Sequence, residues 1–293
     1  MKSTKSQTRT ANLLRVSFNQ VHRVMHRGVK LGLSRRSKND RHYYLSIDEK
    51  SVHKGQNYIS ILSDEQAGIV IEVVEGRSEE SVDELCQTSL TEEQRNAVEA
   101  VCTDMWQPFI KGVETYFPRA LHCHDNFHIV GYLNKAVDKC RRREVKKHEE
   151  LKRTKYLFLK DKMNFTDEQH IKFESIKDTN YEVSKAWRIK ENFRDILFMQ
   201  PLERAYTLYG IWRHDALRAN IKEINEVIAM FDRHERGIIN AMTTGVNNSR
   251  AERLNGSIQE LKTIGRGYRN TENFRIAILF FHGDLDMDPH EKW

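Results

Sequence analysis

Apolar residues recur first at helical spacing. Ala11, Leu14, Val16, Phe18, Val21, Val24, Met25, Val29 and Leu33 describe two short amphipathic segments that meet at Val16-Ser17. Ser17 is placed to cap the second helix, which the pattern carries to about Leu31, with Gly32 as its stop. Residues 34–41 read as a basic linker. From residue 43 the pattern changes to strands. Residues 43–52, 58–62 and 68–74 are β-prone runs split by polar turns at 53–56 and 64–67, the spacing of an antiparallel meander. Ser78, followed by Glu79 and Glu80, opens a capped helix to about Leu90. Residues 98–102 form a fourth strand, 108–116 a helix and 120–124 a fifth strand. Everything from 127 to 242 reads helical, in long segments at 127–161, 167–198 and 202–242, with Pro201 as a break. Trp187, Trp212, Tyr206 and Tyr209 read as packing for that block. A last helix spans about 250–262. Ala251, Leu254, Ile258 and Leu261 make its apolar stripe, and Asn248, Glu252, Asn255 and Gln259 gather on its polar side.

Composition adds a charge asymmetry. The chain has 293 residues and a formal net charge of +6. Residues 1–41 hold eleven Lys/Arg against the single acid Asp40, a local charge of +10 that leaves −4 for the rest. A basic segment on a near-neutral body points to a polyanion, usually nucleic acid; a solvated tail is the alternative. No apolar run approaches the ~20 residues of a membrane span, and the polar N-terminus carries no secretory pattern. Four cysteines without a CxxC pair argue against a zinc ribbon and for a reducing compartment, so a cytoplasmic location is expected, nucleoid-associated where the polyanion is bacterial DNA. There is no nucleophilic triad, glycine-rich phosphate loop or Walker motif.

The chemistry gathers around Tyr43-Tyr44-Leu45-Ser46-Ile47-Asp48-Glu49-Lys50, an apolar strand that delivers acids to its end. Asp104 ends the fourth strand in the same way. The order β-β-β-α-β-α-β-α is the layout of a ribonuclease-H-like mixed five-stranded sheet, an α/β fold in which strands one and four are neighbours. Two carboxylates held there, with Glu252 from a helix, suit a pair of Mg²⁺ ions, for which Mn²⁺ can substitute. The expectation is that the three carboxylates converge within ~8 Å, with Asp125 as the replacement for Glu252 should they not. Strand-end capping is the alternative for both aspartates. His122, Cys123, His124, Asp125 and His128 could be read as a zinc site, but no second cluster completes a tetrahedron. Arg23, Arg27 and Lys30 on the second helix, with Arg35, Arg36 and Lys38 after it, are the candidate DNA-phosphate contacts.

Several motifs resemble the ISL-three group of bacterial insertion-sequence transposases: Asp48-Glu49, Lys54-Gly55 and Tyr58, Gly76-Arg77-Ser78, Thr103-Asp104-Met105, Phe117-Pro118, and Asp125-Asn126-Phe127-His128. So do Asn248-Ser249-Arg250-Ala251-Glu252-Arg253-Leu254-Asn255, Ile264, Gly267-Tyr268-Arg269-Asn270 and Asn273-Phe274-Arg275. The motifs occur in order over residues 16–280. The resemblance implies a ribonuclease-H-like DDE domain at 42–126 and 246–293, interrupted by a helical insertion at 127–245 and preceded at 1–41 by a basic arm with a partial helix-turn-helix. It implies Asp48, Asp104 and Glu252 as catalytic, metal-holding acids, Arg269 and Arg275 as further DNA contacts, and Asp125, His128, Asn248 and Asn255 as accessory residues. The implied activity is Mg²⁺-dependent cleavage and transfer of DNA strands, with element terminal repeats and target DNA as partners and a homodimer as the working form. Members usually begin with a cysteine zinc ribbon and a longer helix-turn-helix, so this sequence reads as an N-terminally shortened copy. A DNA-binding remnant without cleavage and a cellular Mg²⁺-dependent nuclease of the same fold are the rival readings.

Overall fold

The computed structural model describes residues 4–52, 57–160, 162–197, 202–244, 249–265, 267–268 and 270–289; for residues 162, 202–203 and 249–252 it describes the backbone alone. Two helices, α1 (Gln7–Leu14) and α2 (Phe18–Arg35), lead into β1 (Tyr44–Ser51), β2 (Tyr58–Asp64) and β3 (Ile69–Glu75). Then follow α3 (Glu79–Ser89), the short α4 (Glu92–Asn96), β4 (Ala100–Thr103), α5 (Gln107–Tyr116) and β5 (Leu121–His124). The helical block comprises α6 (Asn126–Glu144), α7 (Lys155–Leu159), α8 (Asp167–Lys177), α9 (Glu182–Leu197), α10 (Leu202–Arg218), α11 (Lys222–Arg233) and α12 (Glu235–Thr244). α13 (Ser249–Ile264) and α14 (Thr271–His282) close the chain.

The sheet is five-stranded in the order β3-β2-β1-β4-β5. β1 pairs antiparallel with β2 and parallel with β4, and β2 pairs antiparallel with β3. This is the mixed, ribonuclease-H-like α/β sheet that the strand order predicts. Period-2 alternation sends residues to both faces. Ile59, Ile61, Val70 and Val73 pack with Met25 and Val29 of α2, Leu254 and Ile258 of α13, and Phe274, Ile278 and Leu279 of α14. Leu45, Ile47, Ile71 and Val101 pack on the other side with Val82 and Leu85 of α3 and Phe109 and Val113 of α5.

The chain divides into two compact units, residues 1–122 with 246–293, and residues 123–245. In the first, α1 ends at Arg15 in the left-handed conformation (φ 54°), and Ser17 begins α2 with a capping box. Its hydroxyl accepts from Gln20 N, while Gln20 Oε1 accepts from Ser17 N at 2.8 Å. The helix runs past its expected stop. Gly32 is buried inside α2 because the chain after α14 passes against it: a Cβ there would meet Leu285 Cβ at 2.5 Å. With Met25 and Val29 fully buried, α2 is part of the core, which excludes the solvated-tail reading for it.

The second unit corrects the long-helix expectation. The segment expected as one helix over 127–161 ends α6 at Glu144, whose carboxylate turns to accept from Glu182 N (3.0 Å) and Val183 N (2.7 Å) at the start of α9. The segment 167–198 breaks after α8, where the Thr179 and Ser184 hydroxyls both donate to Ile176 O at 2.7 Å and compete with the backbone. The segment 202–242 breaks at Asn220, which takes φ 49°, a conformation asparagine tolerates. Trp187, Tyr209 and Trp212 are buried packing residues as expected, whereas Tyr206 is exposed. No described helix is long and apolar enough to cross a membrane.

Candidate active site

Asp48 and Asp104 are set side by side by strand register. The parallel pairing of β1 with β4 runs from Tyr44↔Ala100 to Ile47↔Thr103, so each aspartate is the next residue beyond the last pair. Asp48 is not the end of its strand: β1 continues to Ser51, paired with β2. It marks the point where β4 leaves, opening space beside the strand. Both carboxylates are half-buried.

Their oxygens are aimed by short hydrogen bonds. Asp48 Oδ1 accepts from Glu49 N (2.7 Å), and its Oδ2 accepts from Asn255 Nδ2 of α13 (2.6 Å). Asp104 Oδ1 accepts from Met105 N at 2.6 Å. The Thr103 hydroxyl donates to Asp104 O (2.8 Å) and so accepts from His122 Nε2 (2.7 Å), since a hydroxyl has one proton to give. α13 is pinned further along by Lys262 Nζ, which donates to Ser51 O at 2.6 Å, while Leu254, Ile258 and Leu261 are buried as the sequence stripe predicts. Position 252 lies on α13 one turn before Asn255; its side chain falls outside the described residues.

A third carboxylate, Glu49, lies near the aspartates on the opposite face of β1 from Asp48. Burial pushes the Glu49 carboxyl above the ordinary carboxylate range, Arg77 pulls it back, and the charges of Asp48 and Asp104 push it up again. Arg77 Nη1 donates to Glu49 Oε1 at 2.8 Å, and the guanidinium lies over the rings of Tyr58 (3.9 Å) and Trp106 (4.9 Å). Sequence reasoning placed Glu49 beside Asp48 but gave it no role, and missed Arg77, Trp106 and His122 as neighbours of the acids. The available signal was an arginine directly after a glycine at a strand end and a tryptophan two residues beyond Asp104.

The donor set fits hard divalent cations. The acids present carboxylate oxygens, which Mg²⁺ and Mn²⁺ prefer, and Asp48 and Asp104, set side by side by register, gather negative charge that is felt as far as Glu49, a lesser influence there than its burial.

The other predicted residues are distributed as follows. Arg23, Arg27 and Lys30 are exposed on α2, and Lys38 is exposed beyond it. Arg35 donates to Asp288 O at 2.6 Å and faces Asp286 at 3.6 Å. Arg36, in the expected linker, is half-buried and donates to Ile71 O (2.5 Å), Val70 O (3.4 Å) and Gly283 O (3.0 Å), tying β3 to the end of α14. Arg275 makes a two-pronged pair with Glu72 on β3, both bonds 2.8 Å. Arg269 and Asn248 lie outside the described residues. In the second unit, Asp125 caps α6 by accepting from Phe127 N at 2.7 Å, and His128 stands 3.8 Å from it. His124 meets the His234 ring edge-on at 5.1 Å, a packing role instead of a zinc ligand's.

Among the described residues, the group whose ligand atoms could enclose a metal is Cys140, Glu182 and Glu223, within 4.8 Å of one another. An arginine already occupies it. Arg143 bonds Glu182 and makes two bonds to Glu223, at 2.8 and 3.0 Å, and burial pushes the Cys140 thiol up to about 12. This is an ion-pair knot joining α6, α9 and α11.

Comparison with known proteins gives the family. A family model described as a transposase, that of the ISL3 group, matches residues 45–278. The transposase for insertion sequence element IS1001 of Bordetella parapertussis is 23% identical over 243 residues, covering 80% of this chain and 60% of that protein. The transposase for insertion sequence element IS1557 of Mycobacterium tuberculosis is 24% identical over 274 residues, covering 84% of this chain and 61% of that protein. The chain thus spans about three-fifths of the length of these relatives. With its sheet, its acid pair and the α13 helix all inside the matched span, the chain belongs to the ISL3 family of transposases.

Proposed function

We propose that this chain cuts and transfers DNA strands at the ends of an insertion sequence, with Asp48, Asp104 and Glu252 as the acids of a divalent-metal site. The observation that carries the reading is the Asn255–Asp48 hydrogen bond. It docks α13 at the acid pair, and residue 252 shares the face of residue 255, three positions away along the helix. Mg²⁺ or Mn²⁺ held there would supply Lewis-acid activation of the attacking oxygen and stabilise the leaving one. The protein's own part is positional. Strand register sets the two aspartates, Asn255 and the Glu49 amide aim Asp48, the Met105 amide aims Asp104, and Arg77 offsets part of the acidic charge so that a phosphate backbone can approach.

The test is nicking of a duplex carrying the element's end, in Mg²⁺, beside a melting curve for each variant. Asp48→Asn, Asp104→Asn and Glu252→Gln should each fold and bind DNA yet fall below detectable cleavage. That loss is larger than the roughly 10–100-fold expected for an outer hydrogen-bond partner. A stable Asp104→Asn protein that cleaves at the wild-type rate would refute the assignment. A wild type that binds element ends and Mn²⁺ without cutting would favour the DNA-binding remnant, and hydrolysis without strand transfer would favour the nuclease.

A further inference from the structure

Trp106 is a rigid tryptophan left in solvent. Among the described tryptophans, Trp187 and Trp212 are 8% and 4% exposed, whereas Trp106 is 39% exposed and joins neither core of its unit. Yet it is fixed at two points. Its indole N–H donates to Arg77 O at 3.1 Å, and its ring lies against the Arg77 guanidinium, 4.9 Å from the ring centre. The guanidinium rests in turn on the Tyr58 ring at 3.9 Å and is anchored to Glu49 at 2.8 Å. Gly76, with φ 93°, turns the chain sharply before Arg77; a Cβ at Gly76 would collide with the Ser81 hydroxyl at 2.4 Å. Trp106 follows Asp104 by two residues, and Glu49, which anchors the stack, leaves β1 on the face opposite to Asp48 yet close enough to feel the charges of both aspartates. Exposure by itself does not set Trp106 apart, since Phe127 (65%) and Tyr156 (64%) are more exposed; what does is an indole held at two points with a guanidinium against its ring. An aromatic surface fixed beforehand, with an arginine fork beside it, suits a nucleotide: the ring stacks a base, and guanidinium donors not used by Glu49 take a phosphate.

We propose that Tyr58, Arg77 and Trp106 form a shelf that holds one nucleotide of a DNA strand at the rim of the acidic site. Trp106 stacks the base, Arg77 bonds the phosphate and Tyr58 backs the guanidinium. The proposal rests on the DNA-cutting reading for its context, but its test needs no cleavage.

The probe is a fluorescein-labelled twelve-nucleotide oligothymidine. Its binding to the full chain is followed by anisotropy without divalent metal, over a range of salt. Trp106→Ala should weaken binding about tenfold and leave the salt slope unchanged. Trp106→Phe should restore most of the affinity, while Trp106→Leu, apolar but unable to stack, should behave like alanine. Arg77→Gln should lower the slope of log K against log salt by about 0.7, the value for one phosphate contact on a single strand. A packing role would shift melting and move neither the slope nor the aromatic rescue. Should Trp106→Ala unfold, the folded Trp106→Phe protein serves instead. Oligothymidine should quench wild-type tryptophan emission by a component that Trp106→Phe lacks. Equal quenching in the two proteins, or equal affinity of a folded Trp106→Ala, overturns the shelf. Failure of the acid triad would instead show as undiminished cleavage by Asp48→Asn, with the shelf's binding signature intact.

Discussion

A carboxylate that receives a cation works best when it is aimed before the cation arrives, and Asp48 is aimed from two directions. One donor is the adjacent Glu49 amide, the other the Asn255 side chain 207 residues away. Under the proposed role, Asn255→Ala should lower the cleavage rate by about 10–100-fold, the range for losing an outer partner of a metal ligand. High Mg²⁺ or Mn²⁺ should restore much of it, whereas Asp48→Asn should stay inactive at any metal concentration. A cation titration of the nicking rate separates the two; an Asn255→Ala enzyme with wild-type cation dependence would remove Asn255 from the site. The aspartates stood out in the sequence because each follows an apolar β-run. Asn255 stood out as polar among the α13 residues. That its amide meets Asp48 could not be read, because no local pattern records which helix face a strand end will touch.

At the scale of elements, α2 shows how a local signal is overruled. Gly32 has the position of a helix stop, but it is the contact that lets the segment after α14 cross α2 closely. Gly32→Ala gains helix propensity of up to about 1 kcal/mol but forces Leu285 aside, an overpacking cost of about 1–3 kcal/mol. The net expectation is a lower melting temperature. Gly28→Ala, one turn earlier, meets Met287 Sδ at an ordinary 3.4 Å and should leave stability unchanged or raise it. Melting curves of the two variants should move apart; equal shifts would show that the crossing is loose. Arg36 belongs to the same junction. Its neighbours in sequence gave it the look of linker charge, and only the carbonyls of Val70, Ile71 and Gly283 reveal that it is spent inside the fold.

Over the whole molecule, the basic N-terminal stretch separates into cations that bind the protein and cations that face solvent. Arg36 ties the sheet to the end of α14, as Arg275 does from α14 itself, and Arg35 reaches the segment beyond it. Arg23, Arg27 and Lys30 follow one another at helical spacing on the exposed side of α2. If that face meets DNA phosphates, replacing all three by Gln should reduce the slope of log K against log salt on duplex DNA by about 0.9 for each phosphate no longer neutralised. Arg36→Gln should lower the melting temperature and leave the slope alone. Equal slopes for the triple variant and the wild type would place the DNA-binding face elsewhere. The type and order of the strands, the caps at Ser17 and Ser78 and the apolar stripe of α13 were legible along the chain, because hydrogen-bond satisfaction and side-chain periodicity act over a few residues. The breaks inside the helical block were not legible: hydroxyl competition at Ile176 O and the turn at Asn220 are small energies that periodicity averages away. Nor was the gathering of Glu49, Arg77, Tyr58 and Trp106 beside the acid pair. Strand register, the turn at Gly76 and the docking of α5 bring them together, and each depends on burying apolar surface between segments far apart in sequence.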